Sequence, residues 1–302
     1  MSGGRPAIRT GKKLVLGAEI AHMIQAADVT QAVAASYIDT GQGRIAGLLK
    51  GAGSITVGDL ERLANKLGFT DPEYHAVLRD LRRDNHKRGH WDSGYRRAYH
   101  EDMRLLVDVE SMAEEIRAAV VEVLPGLAQT RAYIEAQLEG AGEDGGAEAT
   151  EGPTFEDYVT ARLARQEILD GPNPPMVRWV MSESCLRRVW GSRAVMAEAI
   201  RHVVKLSRRR NVFAQVLPFD APAERRSSIG NRFTLMRVPS PGVAGPVDLA
   251  YVEGEGRISY LDDKKALKAH DAAWSRLTAA ALSYSESREF MEHVAEEFER
   301  SA

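Results

Sequence analysis

The stretch that decides the fold is TQAVAASYIDTGQGRIAGLLKG, residues 30–51. It reads as two short helices around a tight corner. Thr30 is placed to cap the first helix, which continues through Gln31 with Val33 and Ala34 turned inward. The corner is Tyr37-Ile38-Asp39-Thr40, where Asp39 and Thr40 supply the short oxygen-bearing side chains that favour turns and caps. The second helix runs from Gly41 to Leu49, with Ile45, Leu48 and Leu49 on its apolar side and Gly51 past its end. Two helices of this length joined by so short a turn form a helix-turn-helix, the arrangement that lays its second helix in a DNA major groove.

Working outward, Leu16, Ile20, Met23, Ile24 and Ala27 recur at helical spacing before this unit. After it, Thr56-Val57-Gly58-Asp59 opens a helix with Leu60, Leu63, Ala64 and Leu67 on one face, stopped by Gly68. Asp71-Pro72 then caps and starts a fifth helix carrying Tyr74, Val77, Leu78 and Leu81. The spacing therefore predicts a five-helix bundle over residues 1–85. A basic connector, residues 82–97, leads to a second domain over residues 86–302. In it a long amphipathic helix is expected over residues 99–119, and a flexible acidic, Gly-rich loop at about 140–153. Strand-like runs at 176–181, 212–217, 233–238, 247–252 and 258–260 are interleaved with helices, ending in two helices from about 264 onward. The fold class is thus mainly α with an α+β C-terminal domain holding a small, mainly antiparallel sheet.

Composition bounds the function. The 302 residues, 44% apolar and 27% charged, are ordinary for a globular protein of two domains. The lone Cys185 excludes an intramolecular disulfide and fits a reducing cytoplasm. No apolar run approaches the roughly 18 residues of a membrane span, so a cytoplasmic, nucleoid-associated protein is expected. The net charge is −3, but residues 1–99 hold 15 Lys/Arg against 10 Asp/Glu, which leaves +5 there and −8 on the remainder. That asymmetry suits a DNA-reading head on an acidic body, though scatter of charge gives the same sign.

The residues with chemistry to offer lie in the same stretch. Gln42 can bond adenine and Arg44 guanine, each through two hydrogen bonds. Thr30, Gln31 and Thr40 sit at helix starts, where side chains and backbone N–H groups grip phosphate, and Gly43 leaves the backbone bare beside them. Lys50 would serve phosphate or a flanking base. The plainer alternative is a set of solvated polar positions on a bundle. One head neutralises few phosphates, so a homodimer on an inverted repeat is expected. Trp179, Tyr251 and Trp274 could line a pocket for a small apolar signal or a partner, or simply fill the core. Glu183 and Glu253 are candidates for a carboxylate pair, weighed against salt bridges to arginines such as Arg187. His86, His90 and His100 lack the companions of a metal site, and no catalytic motif is present, so neither an enzyme nor a cofactor or metal is expected.

These residues carry two resemblances. Thr30-Gln31, Gln42-Gly43-Arg44-Ile45 and Lys50-Gly51 resemble the Xre/Cro-type helix-turn-helix regulators over about residues 14–70. Leu49 departs from the Glu usual there, and Gly41, Gly43 and Gly47 leave the reading helix bare. The ordered series VLPGLAQT, RLARQEIL, VMSESCLRR, VFAQVLP, RFTLMRV and DLAYVEG is similar to the C-terminal domain of the actinobacterial WhiJ-like, antitoxin-like regulators. The resemblance implies a transcriptional regulator, often paired with a small partner protein. The expectation set beside it is that the C-terminal domain receives a signal from such a partner, a small acidic protein, or from a ligand. The alternative is an antitoxin-like protein that sequesters such a partner, with autoregulatory DNA binding.

Overall fold

The computed structural model describes residues 9–83, 98–99, 101–140, 153–220, 227–254 and 257–301. The chain divides into two compact units. The first gathers Met1–Asp92 with two later segments, Leu105–Met112 and Val238–Val247. The second holds Ser93–Arg104, Ala113–Arg237 and Asp248–Ala302.

The first unit is built on α1 (Gly11–Ala26), α2 (Gln31–Ser36), α3 (Gln42–Leu49), α4 (Val57–Lys66) and α5 (Pro72–Arg82). Each start has a chemical cause. Thr10, Thr30, Thr56 and Asp71 accept a backbone N–H of the first turn, and Pro72 needs no donor where it stands. Gly51 and Gly68 leave α3 and α4 at φ +66° and +88°, in the left-handed region that ends helices. The core is Leu16, Ile20, Met23 and Ile24 of α1 against Ile45 and Leu48 of α3, with Leu60, Leu63, Tyr74, Leu78 and Leu81 closing it. Contact between α1 and α3 is close enough that Gly17 has no room for a side chain. A Cβ there would lie 2.6 Å from the Leu48 carbonyl oxygen and 2.8 Å from that of Leu49.

The long helix expected over residues 99–119 is shorter. α6 spans Glu101–Glu110, and Glu115–Val120 is instead a strand, β1. Glu, Arg and Ala are helix formers, so EIRAAV reads as helix by propensity. Its burial alternates at Ile116 and Ala118, however, and β1 is paired on both sides. Tertiary pairing overrides a weak local preference here.

The second unit continues with α7 (Arg131–Gly140), α8 (Phe155–Arg165), β2 (Met176–Ser182), α9 (Ser184–Arg187), α10 (Arg193–Leu206) and β3 (Val212–Leu217). β4 (Arg232–Val238), β5 (Val247–Gly254), β6 (Arg257–Leu261), α11 (Lys264–Ala280) and α12 (Tyr284–Arg300) follow. The six strands form one sheet in the order β3-β2-β1-β4-β5-β6. β1, β2 and β3 run parallel, while β4 is antiparallel to β1 and β6 to β5. The sheet is therefore mixed, and the expected mainly antiparallel sheet is corrected. Without β1 in the strand count, the two helical crossovers that make its neighbours parallel could not be seen. The acidic loop expected at about 140–153 falls almost wholly outside the described residues.

α11 covers one face of the sheet. Trp274, Leu277, Ala280 and Ala281 pack there with Ala119, Val180, Leu217, Phe233, Leu235 and Ala250. Pleat alternation sends Ile116, Val177, Trp179, Met181, Val216 and Tyr251 to the opposite face, where all are buried. The outer edge at β3 is not left open. The Val216 N–H donates to Ser287 Oγ (3.0 Å), and its carbonyl accepts from the Leu282 N–H (2.9 Å). The segment joining α11 to α12 thus satisfies groups that an edge strand would otherwise expose.

Candidate functional site

Thr30 caps α2, its Oγ accepting from the Val33 N–H at 3.2 Å. Ala34 and Ala35 are the buried residues of this helix, whereas Val33 is 40% exposed. The inward face is therefore one residue later than the sequence suggests, set by Ile38, which is buried in the turn. Asp39 turns the corner at φ +50°, a left-handed conformation that short polar side chains tolerate. α3 follows with Gly41 as a cap that offers no side chain. The whole opening of α3, Gly41, Gln42, Gly43 and Arg44, is exposed. Ile45 and Leu48 hold its other side in the core, while Leu49 is only half-buried.

Of the remaining sequence-named residues, Gln31 and Thr40 are half-buried and Lys50 is exposed beyond the last turn. Arg44 reaches the Ser54 carbonyl at 3.5 Å and Asp59 at 3.9 Å, both long contacts on an exposed side chain. Such pairs hold a side chain only loosely. Arg62 braces the corner, pairing with Asp39 at 3.0 Å and Asp59 at 3.5 Å. A side chain added at Gly41, Gly43 or Gly47 would meet nothing within 4 Å. Internal packing does not ask for glycine at these three positions.

The other candidates are not brought together. Trp179 and Tyr251 lie on one face of the sheet, and Trp274 belongs to the helix on the other, so they do not form one pocket. Burial and the Glu253 carboxylate hold the Tyr251 phenol above its ordinary range. A cavity of about 290 Å³ does exist in this unit, bounded in part by Ile229, Phe233, Val252, His270 and Leu277, but none of the three aromatics lines it. Glu183 accepts from Arg187 Nε (3.1 Å) and the Phe219 N–H (2.9 Å), while Glu253 is bound by Arg232 and Tyr251. Three strand spacings, about 14 Å, separate the strands that carry them. They are two ion pairs and not a carboxylate pair. His86, His90 and His100 lie outside the described residues.

Cys185 is fully buried, and burial first, then the Glu122 carboxylate, pushes its thiol up to about 12. A thiol so placed is a poor nucleophile. Iodoacetamide at about pH 8 should leave the native chain unlabelled and add one group per chain after unfolding in guanidinium. Native-state labelling, read by intact mass, would contradict the burial.

The second unit is an α+β module, a six-stranded mixed sheet with α11 on one face. Residues 103–293 match the family described as "Domain of unknown function (DUF5753)". The chain belongs to that family. No curated protein and no solved structure matches it. Among the described residues, no helix is long and apolar enough to cross a membrane.

Proposed function

We propose that this chain is a sequence-specific DNA-binding transcription regulator of the Xre type, with α2 and α3 as its helix-turn-helix. It acts as a homodimer on an inverted repeat in the cytoplasm, and its DUF5753 unit receives a signal from a small protein partner or a ligand. The observation that carries this reading is the opening of α3. Four consecutive residues, including Gln42 and Arg44, are exposed, while Ile45 and Leu48 seat the opposite side of the helix on α1. That leaves one face of a short helix presented outward with a guanidinium and a carboxamide on it, the groups that read guanine and adenine edges. The bare Gly43 and Gly47 leave the backbone open to close approach.

Recovery and sequencing of genomic DNA bound by the purified chain should return an inverted repeat. On that site Gln42→Ala and Arg44→Ala should each weaken binding about tenfold or more, in keeping with about 1–3 kcal/mol per bidentate contact. Lys50→Ala should weaken all sequences alike and reduce the salt dependence. Unchanged affinity in both the Gln42 and Arg44 variants would remove α3 as the reading helix.

A further inference from the structure

Glu19 is a charged residue with no exposure at all, in the middle of α1. Among the described residues no basic side chain is paired with it; hydrogen-bond donors surround it instead. Tyr74 Oη donates at 2.7 Å. The Ser240 hydroxyl donates, as do the Val243 N–H at 3.0 Å and the Ala244 N–H at 3.1 Å. An ionised carboxylate accepts about four hydrogen bonds, and these four donors fill that capacity. Burial, and Glu19 beside it, keep the Tyr74 phenol far above its ordinary range, so it stays a donor.

Three of the four donors come from one loop, the PSPGVAGP run of residues 239–246. It joins β4 to β5, which are neighbours in the sheet, and a two-residue turn would have sufficed if they pair as a hairpin. The loop is shaped to its acceptor. A Cβ on Gly242 would lie 2.5 Å from the Glu19 carboxyl carbon, and Gly245 takes φ +78°. Val238–Val247 belongs to the first unit, although the strands that continue from it belong to the second. Glu19 is two residues from Gly17, where α1 meets the backbone of α3. The loop donors and the carbonyls of Leu48 and Leu49 thus meet one helix at positions two residues apart, Glu19 and Gly17, on different sides of it.

We propose that the loop of residues 239–246 is a conformational strap: gripped by Glu19, it ties strands β4 and β5 to the position of α1 and hence of α3. A change in β4 and β5 reaches the reading helix by loosening or tightening that grip. The strap itself stands on the geometry above; its effect on DNA rests on the function proposed in the preceding section.

Hydrogen exchange on the intact chain tests both. The Val243 and Ala244 amides should be protected in the parent protein, although Val243 is 50% exposed. Glu19→Gln, which keeps the shape and loses an acceptor, should accelerate their exchange about tenfold or more and also loosen the amides of α3. Gly242→Val, made on the loop side of the same contact, should reproduce both effects with the far-ultraviolet circular dichroism unchanged. Rapid exchange at Val243 and Ala244 in the parent would overturn the strap. Release of the loop with α3 unaffected in both variants would overturn the coupling. On the selected DNA site the two variants should shift affinity by a common factor, about tenfold. If the parent binds no DNA, the function fails while the exchange result still decides the strap.

Discussion

Gly17→Ala should unfold or severely loosen the helical unit, lowering its stability by about 3 kcal/mol or more and its melting point by roughly 10 °C or more. Helix propensity alone predicts the opposite sign, since alanine in a helix interior is favoured over glycine by about 1 kcal/mol. The clash decides. The added methyl would sit 2.6 and 2.8 Å from two backbone carbonyl oxygens of α3, and neither can swing aside as a side chain would. α1 and α3 would have to part, opening the core around Ile20, Ile45 and Leu48. Gly47→Ala is the matched control. It lies in α3 with nothing within 4 Å of its added methyl, so it should stabilise by about 0.5–1 kcal/mol. Thermal unfolding followed by calorimetry separates the two variants. A Gly17→Ala chain as stable as its parent would refute the close α1–α3 packing.

Trp179→Ala should cost about 3–5 kcal/mol, the range for deleting a large aromatic ring from a packed interior. The residue is 2% exposed and stands on β2, which has a parallel neighbour on each side, so the sheet cannot collapse inward to fill the space. Denaturant midpoints of parent and variant measure the loss. A loss below about 1 kcal/mol would mean the ring is not locked in the core, and would return it to the pocket reading.

Much of the helical unit was legible because its boundaries are chemical. Thr30, Thr56 and Asp71 are side chains that cap, and Gly51 and Gly68 are residues that end helices, so local sequence carries the information. The phase of α2 is not fixed locally, because Ala34-Ala35 and Val33 differ little in what they ask of a helix, and Ile38 decides between them from the turn. β2 to β6 were legible from runs bounded by Pro, Gly and Ser. β1 was not, because a central strand made of Glu, Arg and Ala declares itself only through its partners. The aromatic grouping failed for a similar reason. Which face Trp179 shares depends on pleat parity across strands far apart in sequence, and Trp274 is on a helix whose side of the sheet no local pattern gives. The opening of α3 was read directly, since exposure follows from Ile45 and Leu48 being the buried pair. Glu19 gave no sign at all. Within its own helix it is one polar residue among others, and three of its four donors are more than two hundred positions away.

The seal on β3 bears on how the chain is made. Ser287 and Leu282, which close the rim of the sheet at Val216, leave the ribosome long after β3 itself has emerged. Until they arrive, a growing polypeptide displays an unzipped border to its neighbours on the same messenger. Translation that stalls ahead of α12 would therefore release a fragment whose β3 border is open to pairing, the border that Leu282 and Ser287 otherwise close.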